Sequence, residues 1–273
     1  MTWLVLVLLF LPMLAAAQSN VIKIPRPGVV DINSPSYYPE ALLALVLEKT
    51  RFLYGDFHLQ YIDEMYVANR LRAMLIDNKG LDVMWSSVTP ERKLYMRALE
   101  YDIFYGLQGY RRLLIRIEDA EEFKNITTLE QLKKYRAGVG FQWSDKDVFS
   151  YNKLPFVAGT QLGSLGKMLA AKRFDYLPRA SHEYRFDLSN LTPDLMAVEH
   201  LILHYCQPVN FFVNKNNYVL GDRLALGLSL AQSDGSWDHL LHSVPSLRQA
   251  QADIQQFKGV ILRIKNPSCD GSL

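Results

Sequence analysis

Cysteine is scarce: Cys206 and Cys269 are the two in 273 residues. They allow one internal disulfide at most, and no Cys/His cluster reaches zinc-site spacing, so neither a cystine framework nor a metal centre is expected. An excess of either charge is missing as well. With 30 Lys+Arg against 28 Asp+Glu the formal net charge is +2, which gives no basis for nucleic-acid binding. After the first twenty residues no stretch approaches the roughly eighteen apolar residues of a membrane span, and no Pro/Gly/Ser-rich tether divides the chain.

What remains is the composition of a globular protein, 49% hydrophobic and 12% aromatic, long enough for one large or two modest domains. Residues 1–17 read as a signal peptide. The apolar run Leu4–Leu14 has the size of a secretory core segment, and Ala15-Ala16-Ala17-Gln18 places small residues where a signal peptidase cuts. Cleavage after Ala17 and a periplasmic location are the expectation. Export puts Cys206 and Cys269 in an oxidising compartment, where a bond closing a loop of roughly 60 residues would fasten the C-terminal tail; two separate thiols are the alternative.

Hydrophobic patterning gives an α/β chain. Val21–Ile24 alternates as a strand, Pro39 opens a helix over Glu40–Thr50, and His58–Ile62 is a second strand. A helix over Asn69–Ile76 leads into the apolar strand Leu81–Trp85, and the alternation implies parallel βαβ units. A second such set follows, with a strand at Ala137–Phe141, a helix start at Ser144, a helix over Leu165–Lys172 and a strand at Phe174–Leu177. The two sets echo each other, which suggests two similar lobes. Further on come a strand at Phe211–Val213, helices from Leu220 and a last strand at Val260–Ile264.

One segment carries candidate chemistry. Ser86-Ser87-Val88-Thr89-Pro90-Glu91-Arg92 follows directly on a buried strand, and ligands of open α/β sheets bind at strand carboxyl ends. An arginine there can hold both oxygens of a carboxylate, with serine hydroxyls and helix N-terminal amides completing the anion site. The alternative is a plain helix start, with Thr89 as cap, Pro90 at the first position and Arg92 a solvated first-turn residue.

Trp85 to Arg92 resembles the S-x-S-[IV]-T-x-x-R stretch of periplasmic solute-binding proteins of the amino-acid type, family 3, with the type II periplasmic-binding-protein fold. Thr128–Lys133 before Gly138-Val139, Arg173-Phe174-Asp175-Tyr176 and Tyr205–Val213 match further stretches of that family in the same order. More narrowly, Asp82–Trp85, Arg173–Arg179, Phe211–Lys215 and Asp234-Gly235-Ser236 together resemble a divergent subgroup whose ligands are mostly unassigned. The resemblance spans nearly the whole mature chain. It implies two lobes, each a mixed sheet flanked by helices, joined by two hinge strands near Gly106–Arg112 and Tyr205–Phe211. Lobe one would take residues 20–109 and 208–273, and lobe two residues 110–207.

The resemblance also implies that Ser87 and Arg92 hold the ligand's carboxylate. Ser86 and Trp85 belong to the same stretch, and Trp143, Ser144 and Arg179 would arrive from lobe two as the cleft closes. Arg26 stands near where an aromatic residue of the family covers the ligand, and Tyr38 is among the aromatic residues able to line a pocket. The sequence departs from the family in two places. Ala180 occupies the position of the acid that holds the ammonium, with Glu183 nearby, and Gln142-Trp143-Ser144 replaces a Gly-Thr-Thr anion loop. These departures point to a carboxylate-bearing or otherwise anionic solute as readily as to a free amino acid.

Enzymatic templates fit poorly. Gly163–Lys167 lacks the first glycine of a phosphate loop, no G-x-S-x-G occurs, the strand-like Leu201-Ile202-Leu203 sets His200 and His204 about 13 Å apart, and His239/His242 has no third ligand. No cofactor and no catalytic residue is expected. The expected function is capture of a small solute for an inner-membrane ABC permease by a monomer. The alternatives are a sensing module for a membrane receptor and a periplasmic dehydratase-like enzyme, in which Glu183 or Glu91 would act as general acid.

Overall fold

The computed structural model describes residues 20–27, 31–32, 34–63 and 67–269; the expected signal peptide lies outside them. Along these residues the chain forms β1 (Asn20–Ile24), β2 (Phe57–Tyr61), β3 (Val83–Ser87) and β4 (Met96–Ala98). It then forms β5 (Tyr110–Arg116), β6 (Ala137–Gly140), β7 (Phe156–Gly159), β8 (Leu177–Ala180) and β9 (Leu195–His204). It returns through β10 (Val209–Asn214) and, after three helices spanning residues 218–255, ends in β11 (Val260–Arg263).

Two lobes result, and their sheets repeat one plan. In the first, β1 pairs parallel with β2, and β10 lies antiparallel between β3 and β4. Asp82 sets β3 beside β1: its backbone NH donates to Lys23 O at 2.9 Å while its carboxylate accepts from the Lys23 NH at 2.7 Å. The order is therefore β2-β1-β3-β10-β4. In the second lobe β6 pairs parallel with β7, a parallel bridge joins Ala137 to Tyr176 just before β8, and β5 lies antiparallel between β8 and β9. That order is β7-β6-β8-β5-β9, so each lobe takes the strand arriving from the other into the middle of its sheet. The parallel pairs are those expected from the βαβ alternation; the antiparallel ones come from the crossing strands, which local patterning does not reveal.

Each lobe encloses its own apolar core. The helix Tyr37–Lys49 buries Tyr38, Leu42, Leu43, Val46 and Leu47 at helical spacing against Ile22, Ile24, Val83, Phe211 and the helix Tyr218–Ser233. Leu113, Ile115, Val139, Phe149, Tyr176 and Leu203 pack in the second lobe. The crossing segments are pinned to each other. The carboxylate of Asp102 accepts NH groups from Phe104 and Gly106 on one segment and from Val209 on the other, at 3.2, 2.7 and 3.1 Å. Gly109 is required there, because a Cβ would lie 2.3 Å from Tyr205 O.

The chain's end departs from the expected lobe division. Residues 260–264 do not return to the first lobe: β11 adds parallel to the edge of β9, and Leu262 and Ile264 pack in the second lobe's core. Cys206 and Cys269 are bonded, with Cα atoms 6.2 Å apart. The disulfide and a two-way bond between Asn152 and Lys265 hold the tail against the second lobe and the return crossing.

Candidate functional site

The cleft between the lobes lies at the carboxyl ends of β3, β6 and β8 and holds two adjoining chambers. The inner chamber, about 220 Å³, is lined by Ser86, Ser87 and Arg92 from the first lobe and by Trp143, Ser144, Arg179 and Glu183 from the second, with Gln207 from the return crossing. The outer chamber, about 520 Å³, lies among Asn69, Arg72, Glu91, Arg92, Phe141 and Lys146. Six of the nine expected ligand contacts (Ser86, Ser87, Arg92, Trp143, Ser144 and Arg179) thus meet at one cavity.

Local structure explains how Arg92 reaches it. Thr89 caps the short helix Pro90–Tyr95, its Oγ1 accepting from the Arg92 NH at 3.2 Å, and Pro90 sits in the first turn. The guanidinium folds back over the end of β3, donating to Ser87 O at 2.5 Å, and crosses the cleft to Gln142 O at 3.4 Å. Burial and the neighbouring charge of Arg72 lower its pKa to about 10, which still leaves it cationic at neutral pH. Burial lowers Arg72 too, against the pull of Glu91. Among the described residues neither arginine has an ion pair with a carboxylate; Arg72 donates instead to the side-chain oxygen of Asn69.

The second lobe supplies a different kind of arginine. Arg179 is buried and bonded to Asp187 at 2.5 Å and Glu183 at 2.9 Å, beneath Trp143, with its guanidinium carbon 4.8 Å from the ring centroid. Gly140 makes room for that ring, since a Cβ there would fall 2.4 Å from it. Desolvation opposes the Arg179 charge, but the two carboxylates outweigh it and raise its pKa. Burial alone would raise Glu183, yet the guanidinium groups of Arg179 and Arg111 oppose it and the carboxyl lies below its usual range.

The floor of the cleft is a buried polar network. Gln207 donates to Ser87 Oγ at 3.1 Å, Ser144 Oγ at 2.9 Å and Asp145 Oδ2 at 3.2 Å, spanning both lobes from the crossing segment. Asp145 also pairs with Arg111 at 3.2 Å and accepts from Tyr205 Oη at 2.6 Å. Ser144 precedes the helix Asp145–Tyr151 as expected, but its hydroxyl makes no cap bond and is turned to Gln207.

Three expected contacts lie elsewhere. Tyr38 is a core residue of the first lobe: its hydroxyl donates to Ile103 O and accepts from Trp237 Nε1. Trp85 shares the face of Val83 along β3 and packs edge-on against Phe211, opposite in phase to Ser86. Arg26 is exposed and bonds Ile62 O, away from both chambers. The sequence does not single out Arg72 or Gln207, and it marks Gln142 only as part of the segment that replaces the family's anion loop. Asn69, Arg72, Ala73 and Ile76, at i, i+3, i+4 and i+7, form the helix face that lines the outer chamber, and that polar stripe was the available signal.

No family model and no curated protein matches the sequence. Solved structures do. A histidine kinase sensor domain with similarity to periplasmic binding proteins aligns at 14% identity and TM-score 0.58, over 84% of this chain and 96% of that one. The ancestral amino-acid-binding protein that is a precursor of cyclohexadienyl dehydratase aligns at 12% and 0.61, over 82% and 95%. The probable amino-acid ABC transporter extracellular-binding protein of Bacillus subtilis aligns at 16% and 0.57, over 84% and 100%. The chain therefore has the two-lobed type II periplasmic-binding-protein fold.

Proposed function

We propose that this chain is an exported solute-binding protein that captures a small carboxylate-bearing or amino-acid-like solute in the interlobe cleft for uptake by an inner-membrane ABC permease. The observation that carries the reading is Arg92. A guanidinium half-buried at a cleft, beside Ser86 and Ser87 and without an acidic partner among the described residues, is a prepared carboxylate site. The inner chamber, about 220 Å³, suits the acidic end of a small solute, and the outer chamber adjoins it. An Arg–carboxylate bond there contributes about 1.5–3 kcal/mol, so Arg92→Gln is expected to weaken binding tenfold or more in calorimetric titration of small carboxylates. Unchanged affinity would overturn the assignment.

A sensing role is the second reading, supported by the likeness to a kinase sensor domain. The two separate on whether the loaded protein stimulates ATP hydrolysis by a permease or phosphorylation by a kinase. A dehydratase-like activity has less support, because Glu183 is held ionised by Arg179 and so keeps no proton to donate.

A further inference from the structure

We infer that the solute carries two acidic groups and no ammonium, with one acid on Arg92 in the inner chamber and the other on Arg72 where the two chambers meet. The inference rests on the cleft reading above and narrows it.

The case begins with which charges are already engaged. Of the two carboxylates lining the inner chamber, Asp145 is bonded to Arg111, Tyr205 and Gln207, and Glu183 to Arg179. Ala180, in the position from which the resemblance would bring an acid, is fully buried inside β8 and has no charge to give. Within the inner chamber a zwitterion with its carboxylate on Arg92 therefore meets no carboxylate that is not already engaged with a cation, and taking one of these buried pairs apart is costly.

The cations are in the opposite condition. Arg72 and Arg92 line both chambers, they repel each other, and among the described residues neither is paired with a carboxylate. Both also lie beside Gln142, the first-lobe helix meeting it through the Asn69 NH at 2.9 Å and Arg92 through its backbone oxygen. Two partly desolvated guanidinium groups of like charge at one opening favour a ligand that brings two negative charges, since each then gains a charge-assisted bond and their mutual repulsion is relieved. Glu91 and Asp147 line the outer chamber and attract these cations, Glu91 both arginines and Asp147 Arg92, but among the described residues neither forms an ion pair with them. Lys146 is drawn over the ring of Phe141, 4.7 Å from its centroid.

The test uses the mature chain and titration calorimetry with succinate, glutarate, propionate and alanine. Succinate or glutarate is expected to bind at least tenfold more tightly than propionate, and alanine more weakly than either diacid. Arg72→Gln is expected to weaken diacid binding at least tenfold more than it weakens propionate binding. Arg72 lies on a half-exposed helix face, and an unchanged melting temperature of the unliganded variant shows that it folds. Equal affinity for propionate and the diacids, both lost in Arg92→Gln, would overturn the second acid while leaving the cleft reading intact. Alanine binding above the diacids would do the same. Failure of all four probes to bind would overturn the cleft reading and this inference together.

Discussion

His182 follows β8 at the base of the second lobe, with its ring stacked on Phe104 of the first lobe at 4.5 Å and both nitrogens buried without a hydrogen-bond partner among the described residues. Burial lowers its pKa from 6.5 to about 4, Glu183 pulling the other way and Arg111 and Arg179 adding repulsion. The unfolded chain therefore takes up a proton near pH 6.5 that the fold refuses until about pH 4. Because the unfolded state binds more protons across that window, stability falls as the pH falls through it, and above it the ring adds no pH dependence. His182→Phe keeps a ring against Phe104 and removes the titration. Its melting temperature is expected to drop less than that of the native protein between pH 7 and pH 4.5, as followed by circular dichroism. An equal drop would show that other groups set the acid limb.

The six-residue helix Pro90–Tyr95 is too short to be stable on propensity and depends on its cap. Thr89→Ala leaves the Arg92 NH without its acceptor, at an expected cost of about 1 kcal/mol in urea unfolding. It should weaken carboxylate binding less than Arg92→Gln does, because the guanidinium remains while its mounting loosens; Thr89→Ser should restore both. Elements of this local kind were legible in the sequence. The Thr-Pro start, the strand with its two serines and the helices at residues 37–49 and 218–233 follow from caps and periodicity, whereas the six site residues that meet at the cleft were expected from the resemblance to the binding-protein family. What was not legible depends on placement between elements. Arg72 sits on a helix whose facing lobe comes from residues 141–147, and Gln207 gains its role only because the crossing carries it beneath both Ser87 and Ser144. Tyr38 and Trp85 are aromatic residues on periodic faces, and only packing decides that those faces turn inward rather than to the cleft.

The lobes are joined by more than the two strands expected from the resemblance. The chain crosses at residues 99–110 and 204–209, and a third time between the helix Pro245–Gln255, packed in the first lobe, and β11, paired in the second. Arg185 reinforces that third passage with an ion pair to Asp253 at 2.7 Å. A hinge of two strands opens about one line, whereas a third attachment away from that line resists the same rotation. The Cys206–Cys269 bond ties down the chain beyond β11, closing a loop of 63 residues from the return crossing to the tail. A loop of that size stabilises by about 4 kcal/mol through the entropy it removes from the unfolded chain. Replacing both cysteines with serine is expected to lower unfolding free energy by a comparable amount and, separately, to release the tail. Release has its own signature in small-angle scattering: the difference in radius of gyration between unliganded and succinate-saturated protein should be larger in the double variant than in the native protein. A loss of stability with no change in that difference would mean that the third crossing is held by β11 alone and that the disulfide has no part in setting how far the lobes move.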